Sequence, residues 1–140
     1  MDVRKKQLRE KLQALTNNWK WRLASYLLRS DPTWEWSNEI PFLVPDKRTF
    51  FDAKIDVARE IVQDLKNAID MNIEELANEI NRLKREYMLV LSTLIRRANM
   101  ARDKVLRTQL LSKQEVVRDF LKELNIASES IEGSKTSDLR

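Results

Sequence analysis

The feature that most constrains the fold is a run of apolar residues spaced alternately three and four positions apart. The run consists of Ile73, Leu76, Ile80, Leu83, Tyr87, Val90 and Leu94. This spacing puts them on one narrow stripe of an α-helix, the a/d seam through which helices pack in bundles and coiled coils. Asn72 and Glu75 form a capping-box pattern, so we expect this helix to begin at residue 73.

Apolar periodicity and turn signals predict an all-α protein, an elongated helical bundle that forms a single domain over residues 1–124. The predicted helices span residues 3–29, 47–70, 73–111 and 113–124. The short break between the second and third helices predicts an antiparallel hairpin. Ser112 and Glu115 resemble another capping box and set the predicted start of the last helix. The polar residues 125–140 are expected to form a disordered tail.

The seam of the long third helix changes after Leu94. A strict heptad would place Arg97 in the core, whereas the apolar pattern continues at Ala98, Ala101 and Val105. Such a stutter locally unwinds the supercoil or turns the seam towards a different partner. The residues that we expect to form the bundle or interface seam are Tyr87, Leu91 and Leu94.

Tryptophan and proline mark the segment between the first two helices, residues 31–46. Its prolines prevent a continuous helix, and its large apolar side chains make a fully solvated linker unfavourable. We therefore expect an irregular segment across the bundle, with Trp34, Trp36 and Phe42 as structural anchors. On the first helix, Trp19 is predicted to face inward and Trp21 elsewhere. Core or interface packing is favoured for these tryptophans over stacking on nucleobases.

Composition argues against most enzyme classes. The chain has no histidine, no cysteine and one glycine, which excludes Ser–His and Cys–His catalysis, thiolate metal sites and phosphate-binding glycine loops. Paired carboxylates such as Asp52 and Asp56 could hold a divalent ion, but a solvated acidic face is the favoured interpretation. We therefore expect no catalytic, cofactor or metal site. No apolar stretch approaches the roughly 20 residues of a membrane span, so we expect an intracellular protein without a membrane partner.

Charge is distributed in blocks along the chain. Residues 1–30 hold 8 basic and 2 acidic side chains, residues 31–81 hold 5 and 12, and residues 82–122 hold 11 and 4. Such blocks indicate docking, either between segments of one chain or between subunits. The predicted contacts with a partner or nucleic acid are Arg96, Arg97, Lys104 and Arg107 on the third helix, and Lys5, Lys6 and Arg9 on the first. The first four fall within about 100° of one continuous helix.

Two stretches resemble the helical domain of GINS subunits. Residues Trp36-Ser-Asn-Glu39-Ile-Pro41-Phe-Leu43 resemble a Trp–x–Asn–Glu…Pro–x–Leu segment early in that domain. Residues Arg82 to Tyr87, Leu89 to Arg97 and Leu110 to Glu115 resemble its later long helix and cap. The resemblance covers residues 34–124 and implies a non-catalytic subunit that bridges components of the replicative helicase through helix–helix interfaces.

Two functions remain open from the sequence. The first is a helical scaffold whose partners are protein subunits, copies of itself or others, and which includes the GINS-like role at the replicative helicase. It is favoured by the seam and the charge blocks. The alternative is a nucleic-acid-binding helical protein that contacts DNA through the basic first helix and the basic stripe of the third.

Overall fold

The computed structural model describes residues 3–30 and 47–138. These residues form four α-helices and no strand: α1, Val3–Ser30; α2, Lys47–Ile69; α3, Ile73–Met100; and α4, Lys104–Asp138. The prediction of an all-α helical bundle is confirmed. The predicted irregular segment at 31–46, with Trp34, Trp36 and Phe42, lies outside the described residues, as do the side chains of 4, 5, 47–50 and 129–138.

Successive helices run in opposite directions. The Arg9 side chain near the start of α1 donates a hydrogen bond to the carbonyl oxygen of Met71, just after α2 ends. At the other end of the same pair, the rings of Tyr26 and Phe51 have centroids 6.3 Å apart. Helix α3 is antiparallel to α4, since Gln114 Nε2 in the first half of α4 donates to the carbonyl oxygen of Leu94 at 3.2 Å. The corner between α3 and α4 therefore lies at the same end of the bundle as the start of α2.

The helices pack mainly in two pairs. Helix α1 lies along α2, α3 lies along α4, and the pairs meet chiefly where α2 contacts α4. Helices α2 and α3 share a short turn at residues 70–72 and run in opposite directions, as the predicted hairpin requires. They nevertheless touch each other less than any other two of the described helices do. Each helix of the hairpin thus buries most of its apolar face against a helix from elsewhere in the chain.

One continuous core joins all four helices. Its fully buried large side chains are Leu12 and Trp19 of α1, Ile61 and Leu65 of α2, Leu76, Ile80 and Leu83 of α3, and Val116, Val117, Phe120 and Leu124 of α4. Phe120 is central, because Trp19 and Tyr87 both meet its ring edge-on, with centroids 5.7 and 4.8 Å away. Trp21 is 77% exposed, so the predicted opposite orientations of Trp19 and Trp21 are confirmed.

The seam of α3 follows the stutter. Leu94 and Ala98 are both buried, and the half-buried Leu91 packs against the core. The prediction was wrong for Val90, which is 42% exposed. The buried residues advance by four from Tyr87 to Leu91 and again from Leu94 to Ala98. One helical turn holds 3.6 residues, so steps of four turn slightly too far around the helix and steps of three not far enough. A mixture of the two keeps the buried stripe on the core side of a straight helix.

The predicted boundary at residues 111–113 was wrong. Helix α3 ends at Met100 and α4 begins at Lys104. Asp103 precedes α4 and accepts a 3.2 Å hydrogen bond from the Val105 backbone through Oδ1, which is the action of an N-cap. Ser112 lies inside α4, where its hydroxyl donates to the carbonyl oxygen of Thr108 at 2.8 Å. Ser112 bonds back into the helix and caps nothing.

Two other end predictions need correction. Asn72 precedes α3 as predicted, but its side chain makes no capping hydrogen bond. The backbone of α4 remains helical to Asp138, although the helix was predicted to end at Leu124 and a disordered tail to follow. Packing extends the helix at least through Ser128, which is buried and accepts a hydrogen bond from Lys84 Nζ of α3.

Candidate partner-binding surface at the α3–α4 corner

Five cationic side chains gather where α3 turns into α4. We call them the basic corner: Arg96, Arg97, Arg102, Lys104 and Arg107. All five are exposed, and none forms an ion pair with another described residue. Asp103, in their midst, accepts the capping bond from α4. The corner therefore presents five cations beside one carboxylate, and no ion pair among the described residues involves them.

The break at residues 101–103 changes the geometry predicted for this charge. Arg96 and Arg97 belong to the end of α3, whereas Lys104 and Arg107 belong to the first turn of α4. The prediction of a single stripe on one continuous helix was therefore wrong. The two pairs are separated in the chain by a turn of only three residues between the helices.

A second apolar and basic surface continues from the corner along α3. We call it the outer face of α3: Arg85, Leu89, Thr93, Arg96 and Met100. At 100° per residue these positions point about 160° away from the buried seam. Leu89 is 70% exposed and Met100 is 75% exposed. The sequence analysis missed Arg85, Leu89 and Arg102. Arg85 and Leu89 lie four residues apart, a helical spacing that could be read from the sequence, but the stronger apolar pattern of the seam obscured it.

Ion pairs elsewhere engage Arg22, Lys54 and Arg82. Lys54 Nζ lies 3.3 Å from Glu115 Oε2 and joins α2 to α4. Arg82 pairs with Glu79 and, at 2.7 Å, with Glu86 on the same helix. The hydrogen bond that Arg82 donates to Glu79 raises the pKa of the Arg82 guanidinium. These ion pairs lie within the chain, and none of those among the described residues involves the basic corner. The predicted docking of whole charge blocks stays a prediction.

The predicted basic contacts on α1 divide into different roles. Lys6 is exposed, and the side chain of Lys5 lies outside the described residues. Arg9 is half-buried; one guanidinium nitrogen holds the carbonyl oxygen of Met71, and Nε is buried with no hydrogen-bond partner in the described part of the chain. Arg9 thus fastens α1 to the α2–α3 turn, and little of its guanidinium is accessible to a partner.

The predicted seam residues serve the bundle itself. Tyr87 is buried and its hydroxyl donates a 2.6 Å hydrogen bond to Asp64 Oδ2 of α2. Burial, reinforced by this hydrogen bond, raises the pKa of Tyr87. Leu94 lies in the same core as Phe120. Of the two roles that the sequence left open for Tyr87, Leu91 and Leu94, the structure assigns packing within one chain.

The other surfaces described offer less. An open groove between α1 and α2 is lined by Thr16, Lys20, Lys66 and Asp70, and another between α1 and α4 by Leu15, Glu123 and Ile126. Within residues 3–30 and 47–138, no three carboxylates are grouped so that they could hold a metal ion. None of the described helices is long and apolar enough to cross a bilayer.

No family model, curated protein or solved structure matches this chain. The basic corner and the outer face of α3 are therefore the features of the molecule that bear most directly on its function.

Proposed function

We propose that this protein is a non-catalytic helical scaffold that binds another protein through the basic corner and the outer face of α3. The observation that carries the proposal is the exposure of Leu89 and Met100 on the same face as the unpaired Arg96. Exposed apolar side chains cost free energy in water unless a partner covers them. Methionine and arginine are also enriched in protein–protein interfaces.

The role of a GINS subunit at the replicative helicase is one specific form of this proposal. Its support is the sequence resemblance over residues 34–124. The part of the resemblance that rests on a helix start at Ser112 has lost its structural basis, because Ser112 lies inside α4. The Leu89 to Arg97 part includes exposed residues of the outer face of α3, where a helicase component would bind.

Nucleic-acid binding is the second candidate, and the five unpaired cations of the basic corner favour it. Phosphate contacts of this kind release counterions, so the binding constant would fall steeply as salt rises. The exposed apolar side chains beside the cations favour the protein partner, because phosphates gain little from covering Leu89 and Met100.

An affinity purification from nuclease-treated extract of the source cells tests the proposal. We expect the unmodified chain to retain a defined set of proteins, and the double variant Arg96→Glu/Leu89→Ser to lose them. Trp21→Ser and Lys66→Gln are matched controls, since both residues are exposed and lie on other helices. Retention of the same proteins by the double variant would contradict the proposal. Nucleic acid retained in place of protein when nuclease is omitted would favour the second candidate.

A further inference from the structure

The outer face of α3 carries apolar and basic side chains at the spacing expected of a docking site for another helix. We infer that the partner presents an acidic amphipathic helix, which lies along the outer face of α3 with its glutamates or aspartates against the basic corner. This inference rests on the proposed function and specifies the class of its partner.

The spacing matches a helix packed against a helix. Leu89 and Met100 are eleven residues apart on α3, which is about 16 Å at 1.5 Å per residue. Between them, Thr93 and Arg96 complete a row with steps of four, three and four. A partner helix of about three turns, with apolar residues at i, i+4, i+7 and i+11, would cover both exposed ends of this row.

The charge of the face selects an acidic partner. Arg96 lies in the row itself, Arg85 lies four residues before Leu89, and Arg97 and Arg102 lie beside the other end. None of the four has an ion-pair partner among the described residues. Carboxylates flanking the apolar stripe of the partner would meet these arginines at the edge of the contact. Such pairs raise the association rate and reject basic or neutral helices.

A second copy of this chain fits poorly. A two-fold symmetric contact would bring the outer face of α3 against itself, so arginines would face arginines. The exposed carboxylates of α2, Asp52, Asp56 and Glu60, could neutralise the basic corner of another copy. However, no large apolar side chain described on α2 is exposed, so Leu89 and Met100 would stay uncovered in that contact.

Fluorescence anisotropy with the full chain and three labelled probes tests the inference. The first probe is a peptide of about 18 residues, long enough to form a helix, with leucines at i, i+4, i+7 and i+11 and glutamates on both flanks. The second has the same composition in scrambled order, which removes the apolar stripe and keeps the charge. The third is a short DNA duplex, which offers phosphate alone.

We expect the patterned peptide to bind about tenfold more tightly than the scrambled peptide. Leu89→Ser and Met100→Ser should each weaken the patterned peptide by about tenfold and leave DNA binding unchanged. Arg96→Gln should weaken both peptides. Trp21→Ser is the control for loss of an exposed apolar residue, and Lys66→Gln the control for loss of an exposed cation; both should leave every affinity unchanged.

Three results would overturn the inference. They are equal binding of the two peptides, indifference of the patterned peptide to Leu89→Ser and Met100→Ser, and tighter binding of DNA than of either peptide at about 200 mM salt. The affinity purification separates this inference from the proposed function. If proteins are retained through the corner and the patterned peptide does not bind, the scaffold role stands and the acidic-helix partner is wrong.

Discussion

The indole nitrogen of Trp19 donates a 2.8 Å hydrogen bond to Glu123 Oε2, which ties α1 to α4 at the edge of the core. Trp19 is fully buried, so its N–H depends on this acceptor. Arg22 donates to the other oxygen of the same carboxylate, and its guanidinium lies 4.6 Å from the centroid of the Trp19 ring. Glu123 therefore satisfies two donors from α1 and fixes how α1 is seated on α4.

Removing this acceptor should destabilise the protein. Glu123→Ala leaves the buried Trp19 N–H without a partner, and we expect the free energy of unfolding to fall by about 1–3 kcal/mol. Glu123→Gln keeps an acceptor oxygen and should lose less. Urea denaturation followed by tryptophan fluorescence measures both, with the exposed Lys122→Ala as the control on the neighbouring position. Equal losses for the alanine and glutamine variants would show that the hydrogen bond from Trp19 contributes little.

The buried seam and the outer face of α3 should respond differently to truncation. Leu94 lies in the core, so Leu94→Ala removes buried methyl groups and leaves a cavity, at a cost of about 2–5 kcal/mol. Leu89 is mostly exposed, and Leu89→Ala should change the free energy of unfolding by less than about 0.5 kcal/mol. Chemical denaturation of the two variants side by side provides the measurement. A loss below about 1 kcal/mol for Leu94→Ala would place the seam elsewhere on α3.

Stability should fall in alkaline solution because of Tyr87. Burial and the bond to Asp64 raise the pKa of Tyr87 in the folded protein above the value of about 10 in an unfolded chain. Below pH about 10 both states keep the phenol proton, and the stabilisation is fully present. As the pH rises further, the unfolded state loses the proton first and the free energy of unfolding declines.

Urea midpoints between about pH 8 and 11 test the expected decline. Tyr87→Phe removes the phenol and should flatten part of it. Tyr26 is the other tyrosine of the chain, and burial raises its pKa too, so Tyr26→Phe is the matched comparison. The same alkaline decline in the protein and in Tyr87→Phe would contradict the assignment.

The start of α4 can be located by a pair of substitutions. Asp103→Ala removes the N-cap and should cost about 0.5–2 kcal/mol. Ser112→Ala removes a hydroxyl that bonds back to Thr108 inside the helix, and we expect a change below about 0.5 kcal/mol. Thermal unfolding followed by circular dichroism compares them. The reverse order of effects would favour a helix that begins at Ser112.

The apolar periodicity was a good guide where the core face is continuous. The stripes of α1 and α2 and most of the α3 seam could be read from the sequence, because burying one face of a helix demands that spacing. Phe51, Ile55, Ala58, Val62 and Leu65 repeat at helical spacing along α2 and are buried, and Ile69, which continues the pattern, is half-buried. Val90 was misplaced because a strict heptad does not follow the stutter.

The end of α3 was hard to predict from the sequence because no helix-breaking residue marks it. Residues 97–112 contain neither glycine nor proline, and alanine, arginine and leucine all favour helix. Asp103 was the available signal, but the pattern at Ser112 and Glu115 looked stronger. The candidate site was affected in turn, since the assumed continuous helix placed Lys104 and Arg107 on the same face as Arg96.

The conformation of Ala101 bears on how the molecule stays folded on itself. Its φ of −71° is close to that of an α-helix, and its ψ of 127° is extended. At Ala101 only ψ departs from helical values, and residues 102 and 103 complete the non-helical turn before α4. The hairpin of α3 and α4 is held closed by contacts between the two helices, such as the burial of Leu94 and the hydrogen bond from Gln114 to the Leu94 carbonyl oxygen. Weakening these contacts between α3 and α4 favours exchange of α4 between two molecules. This is the route by which monomeric bundles become domain-swapped dimers.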